Sequence, residues 1–197
     1  MYDFWFYCKL GINHVLDWGA YDHVLFLSAL TAPFTFKHWK KVIVLATLFT
    51  IAHCLSLLLS AYGIINVDVE SVEFLIPVTI LLTAFFNIVQ VFMVQGKNKA
   101  YLLEFATTFF GIIHGFGFSN YFNMLMSEEE EKIGPLLGFA SGIEISQITV
   151  IFSILTVAYI VQIKFGIKRS VFAVFISSVI ILLSLVIELL SFVLFST

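Results

Sequence analysis

Six stretches of this chain each run for about 20 or more residues with few charges, the length an α-helix needs to cross a bilayer. They are Ile12–Ala32, Lys41–Tyr62, Val72–Met93, Ala100–Leu125, Leu136–Val161 and Val171–Phe195. Composition agrees with them: of 197 residues 60% are hydrophobic and 12% charged, and mean hydropathy is +1.04. That is too little charge to cover a water-soluble domain of this size. Aromatic residues make up 17%, including 23 Phe, a usage that suits lipid-facing surfaces and interfacial belts. The expected fold is an all-α integral membrane bundle of about six transmembrane helices, one domain over residues 1–197. The first stretch is the least apolar, since it holds His14, Asp17, Asp22 and His23.

The loops predict an orientation. Lys37, Lys40 and Lys41 follow the first stretch, Lys97 and Lys99 the third, and Lys164, Lys168 and Arg169 the fifth. These are eight of the 10 basic residues, all on alternate loops. The other loops carry Asp68, Glu70 and the acidic run Glu128–Glu131, a solvated segment, with Lys132 beside it. The positive-inside rule puts the three basic loops in the cytoplasm and both termini outside. Met1–Lys9, rich in Phe, Tyr and Trp, is expected along the outer interface as an aromatic anchor. Asp3 stands where a signal peptide would carry lysines, so no cleaved signal is expected. Net charge is −3, which offers no basic field for nucleic acid. Cys8 and Cys54 lack CxxC spacing, and Cys54, inside an apolar run, reads as a small packing residue.

Ionisable groups at the centre of a transmembrane helix cost roughly 2.5–3.5 kcal/mol each on insertion scales, so their positions carry information. A rise of about 1.5 Å per residue converts sequence position into depth. His14 then lies near the outer surface, Asp22 and His23 about halfway along the first stretch, and His53 near the middle of the second, with Ser56 one turn above it. His114 falls just outside the middle of the fourth. Glu144 and Gln147, three residues apart on one helix face, fall in the outer half of the fifth. Glu188 is in the outer half of the sixth, Glu73 opens the third at the outer end, and Glu104 stands near the cytoplasmic end of the fourth. Four of the five histidines, all but the loop residue His38, thus share the middle-to-outer membrane with several carboxylates.

Imidazole and carboxylate form a borderline ligand set suited to Ni, Zn, Cu or Fe(II). A lone intramembrane histidine is more often a hydrogen-bonding residue between helices, and an adjacent Asp-His pair can simply hold a bundle together. Four histidines on three helices at similar depth favour a metal or proton site over that reading. Glycines accompany them: Gly111, Gly115 and Gly117 around His114, and Gly138 and Gly142 ahead of Glu144. Small residues let helices approach closely in membranes, which is how His114 and Glu144 would be brought together. Gly115 and Gly117, with Pro77 in the third stretch, are also candidates for local loosening or a kink.

Four blocks carry a family resemblance. They are Gly11-Ile-Asn-His14 with Tyr21-Asp22-His23-Val-Leu-Phe26; Phe49-Thr50-Ile-Ala52-His53-Cys-Leu-Ser56-Leu; Phe110-Gly111-Ile-Ile-His114-Gly115-Phe-Gly117-Phe; and Leu137-Gly138-Phe-Ala-Ser-Gly142-Ile-Glu144-Ile-Ser-Gln147. With Val72-Glu73, they resemble the HupE/UreJ family of small membrane proteins, particularly its second, periplasm-facing subgroup. The resemblance implies a multi-pass protein of the bacterial cytoplasmic membrane that handles a divalent transition metal, nickel by family habit. It implies His14, Asp22, His23, His53, His114 and Glu144 as the polar metal positions.

Two function classes follow. The leading one is a metal permease or metal-binding delivery protein that captures its ion in the outer half of the bilayer. Its weakness is the inner half, where Glu104, Asn87 and Gln90 are the polar residues available for a path. The alternative is a membrane-embedded hydrolase, in which three histidines hold a metal with an open position for water. Ser56 and Ser146 are available to support that chemistry. Whether a polar path continues from the site towards the cytoplasm discriminates between the two.

Overall fold

The computed structural model describes residues 3–17, 21–92, 99–127, 129 and 131–195. Met93, Lys97, Glu128 and Glu130, which entered the span and loop assignments, lie outside the described residues. The described chain is helical throughout, with no strand. In order it forms α1 (Phe4–Leu16), α2 (Asp22–Thr31), a single 3-10 turn at Phe36–His38, α3 (Trp39–Ala61), α4 (Val69–Phe92), α5 (Lys99–Leu125), α6 (Ile133–Lys164) and α7 (Arg169–Phe195). By length and composition α3, α4, α6 and α7 are each able to cross a membrane. α5 has 27 residues but dilutes its apolar surface with Gly, Thr and Ser.

The expected first span, Ile12–Ala32, is two helices rather than one, and the first of them begins at Phe4. The start is set by Asp3, whose carboxylate accepts from the backbone N–H groups of Trp5 (2.9 Å) and Phe6 (3.4 Å), a side-chain N-cap. α1 ends where Asp17 turns extended (ψ 130°), and α2 begins with Asp22 in its first turn. Aspartates favour helix boundaries because their carboxylates compete for nearby backbone donors. Of Met1–Lys9, expected as an interfacial anchor, Met1 and Tyr2 lie outside the described residues. Phe4–Lys9 is the first half of α1, with Tyr7 and Cys8 buried in the bundle, while Trp5 and Phe6 face outward.

Two tight parallel helix pairs build the core. α1 lies on α6 through glycines: a Cβ at Gly138 would stand 2.9 Å from the Phe4 carbonyl oxygen, and one at Gly142 would meet the Cys8 carbonyl and the Ile12 nitrogen. Gly11 presses in the same way on the backbone at Phe139 and Ile143. α3 lies on α5 through Gly111, 2.6 Å from the Phe49 carbonyl oxygen by the same measure, and through Gly115, set against His53 and Ser56. Further along this pair Asn123 donates to the Ser60 hydroxyl at 2.9 Å. The two pairs meet along α3 and α6, while α4 packs on α5 and α7. α2 continues in the direction of α1 and is held by Asn87 of α4, which donates to the Ala29 carbonyl at 2.7 Å. Arg169, at the start of α7, donates to the Pro33 carbonyl just beyond α2. Gly63 and Gly166, at φ +66° and +65°, follow the last residues of α3 and α6 in the left-handed conformation that ends helices.

Candidate metal centre

Four imidazoles meet where the two helix pairs and α2 converge. His14 comes from the last turn of α1, His23 from the first turn of α2, His53 from α3 and His114 from α5. Ring centroids are 4.6 Å apart for His14 and His23, 5.5 Å for His14 and His53, 5.8 Å for His23 and His53, and 5.5 Å for His23 and His114. His14, His23 and His53 each offer a nitrogen within 4.8 Å of the other two. Nitrogens bound tetrahedrally at 2.0–2.1 Å stand about 3.4 Å from one another. Rotations that draw the rings together by an ångström or so therefore suffice to close them on one ion.

The hydrogen bonds fix which nitrogens are free. The Nδ1–H of His114 donates to the Phe110 carbonyl at 2.9 Å, and because a carbonyl can only accept, Nε2 is left with its lone pair. His23 Nδ1 lies 3.1 Å from Asp22 Oδ1, which also accepts from the His23 backbone N–H at 2.8 Å. An ionised carboxylate there makes Nδ1 the protonated nitrogen and again frees Nε2. Such carboxylate or carbonyl partners behind an imidazole orient metal ligands and raise their basicity. Nε2 of His14, His23 and His114, and both ring nitrogens of His53, are buried with no hydrogen-bond partner among the described residues. His53 is wholly buried and His23 and His114 nearly so. A buried polar atom left unpaired costs about 1–3 kcal/mol, so several converging on one point call for a common partner.

Phenylalanines close the centre on both sides. Phe26, Phe49 and Phe110 each lie one turn from a histidine, on the side of the lysine-bearing loops. Phe26 stacks on Phe49 at 4.9 Å and meets Phe110 edge-on at 5.9 Å. On the other side Phe118 packs 4.0 Å from the His14 ring and stacks on Phe139 at 5.5 Å. Sequence reasoning did not single out these rings. The signal for them was present, since Phe26 follows His23 by three residues, Phe49 precedes His53 by four, and Phe110 and Phe118 flank His114 by four each.

Asp22 stands behind His23. Glu144 is elsewhere: it is half-buried on α6, where the Thr47 hydroxyl of α3 approaches its Oε2 at 3.5 Å. Glu104 and Glu188 are half-buried on α5 and α7, Glu73 is exposed, and His38 bonds to Thr35 in the turn before α3. In the half of the bundle towards the lysine loops, Asn87 is committed to Ala29 and, at 3.4 Å, to Ser177. Pro77 sits inside α4 without ending it.

A family model described as HupE / UreJ protein matches residues 1–193. No curated protein and no solved structure matches the chain.

Proposed function

The chain belongs to the HupE/UreJ family, and from that premise we propose that it is a multi-pass membrane carrier of a divalent transition metal. His14, His23, His53 and His114 bind the cargo and Asp22 orients His23. The single observation that carries this reading is the set of unpaired imidazole nitrogens converging at one buried point. Neutral imidazoles suit nickel, zinc and copper, and the family makes nickel the first ion to test. α1 and α2 together make one broken crossing, and α3 to α7 make five more. The lysine loops then face the cytoplasm of a bacterial inner membrane, and both ends of the sequence face outside. Broken helices that meet near the midplane are a recurrent way to build ion sites in transporters.

The two phenylalanine layers make the described arrangement an occluded one: the ion is held away from water on both sides, and transport requires the layers to part in turn. The hydrolase alternative draws less support. Asp22, the carboxylate against the rings, already accepts from His23, and aromatic rings fill the space beside the imidazoles that a substrate would need. The test is metal analysis of the purified full-length protein. Wild type should retain close to one equivalent of nickel, zinc or copper, and a His53→Ala variant should retain none. Equal metal content in the two proteins would refute the reading.

A further inference from the structure

The seam between α3 and α6 holds a second polar group that the imidazole centre does not use. Thr50 Oγ1 donates to Gln147 Oε1 at 3.2 Å, and Thr47 Oγ1 approaches Glu144 Oε2 at 3.5 Å. Glu144 Oε1 is buried with no partner among the described residues, and beside it Gln147 is completely buried with its Oε1 turned to Thr50. Thr47 and Thr50 are three apart on α3, as are Glu144 and Gln147 on α6, so the four side chains meet as one polar cluster between the two helices. The cluster begins beside the histidines. Thr50 and Thr47 lie three and six residues from His53 towards the lysine-bearing end of α3, about 4.5 and 9 Å of axial travel.

The donor chemistry differs from that of the centre. A carboxylate, an amide carbonyl and two hydroxyls are all oxygen ligands, which hold nickel, zinc or copper less tightly than imidazole does. A weaker set next to a stronger one is what release requires, because an ion surrounded by several imidazoles leaves only when a nearby position can receive it. Glu144 also brings one negative charge into a region where a bare divalent ion would otherwise meet hydrocarbon. Phe49, adjacent to Thr50, stacks on the His53 ring.

We propose that Thr47, Thr50, Glu144 and Gln147 form a second, oxygen-lined divalent-cation site, to which the imidazole centre passes its ion on the way to the lysine-loop side. This rests on the histidines being the carrier's primary site. It supplies a polar continuation where Asn87 is already committed to Ala29 and Ser177.

The experiment uses full-length protein and nickel ions, with equilibrium binding measured in detergent and nickel flux measured in proteoliposomes. Glu144→Gln and Thr50→Val should each bind nickel within about twofold of wild type while flux falls about tenfold or more. Retained binding that still depends on His53 shows that the variants are folded. Wild-type flux in both variants overturns the second site while leaving the carrier reading intact. Loss of binding by about tenfold in Glu144→Gln also overturns it, by putting that carboxylate on the imidazole-bound ion. Wild-type protein that neither binds nor carries nickel, zinc or copper refutes the carrier reading itself, and the second site with it.

Discussion

Gly115→Ala should damage the metal centre without touching a ligand. A Cβ at Gly115 would be directed at the His53 carbonyl oxygen and the Ser56 hydroxyl, whereas an ordinary contact needs 3.4 Å or more. Ser56 can rotate, but the carbonyl belongs to the backbone of α3 and its oxygen cannot move aside unless the helix does. The two helices must separate by roughly an ångström, a distortion of the overpacking kind that costs about 1–3 kcal/mol. His53 and His114 sit on the two helices being parted, and a metal site tolerates only about 0.2 Å in its bond lengths. Metal affinity should therefore fall about tenfold or more, and the unfolding temperature of metal-free protein should drop. Gly117→Ala, two residues along the same helix, is the internal control. There the added methyl meets the end of the Ile76 side chain at 2.7 Å, which can swing away, so binding should stay within about twofold of wild type. The assays are equilibrium metal binding and thermal unfolding in detergent. Wild-type affinity in Gly115→Ala, or equal damage from Gly117→Ala, would show that close helix approach does not set the site.

Three further outcomes are expected. Asp22→Asn removes the charge behind His23 while keeping its shape, and should weaken metal binding by about 10–100-fold with little change in metal-free stability; unchanged affinity would dismiss the orienting role. Imidazole binds metal only when neutral, and its ordinary pKa is near 6.5, so protons compete as pH falls. Metal should raise the unfolding midpoint at pH 7.5, and that gain should shrink progressively as the pH is lowered towards about 4, whereas a gain that does not change with pH would speak against histidine ligation. Cysteines introduced at Lys40 and Lys168 should be shielded from an impermeant thiol reagent in intact cells, while one at Ser127 should react. Labelling of the lysine positions from outside would reverse the orientation.

Depth was legible in the sequence, and direction around the helix was not. A fixed rise per residue put His23, His53 and His114 at matching positions along their helices, and their rings do lie together. The same argument put Glu144 at that level too, but α6 turns its carboxyl towards Thr47, a matter of azimuth that depends on which helices become neighbours. Averaging over a 20-residue window also concealed the interruption between α1 and α2. A chain segment with enough apolar residues to cross looks continuous by that measure even when aspartates end one helix and start the next. The N-cap at Asp3 was readable as an Asp ahead of a helical run, yet the aromatic residues behind it resembled an interfacial belt. Most of the phenylalanines in the two layers were readable as partners three or four residues from His23, His53 and His114, a spacing that carries meaning only once the histidines are known to share a chamber.

The break in the first crossing bears on how the protein is made. α1 has 13 residues and α2 has 10, so neither alone reaches the length that lets a helix enter a bilayer and stay. The surface that receives α1 is the glycine face of α6, which begins more than 100 residues later in the chain. A growing chain thus carries His14 for most of its synthesis without the helix face that positions it. The complete chelating pocket exists only once α6 has been added. On the proposed reading, an ion met before α6 is made would find an incomplete set of imidazoles, since His14 is not yet placed.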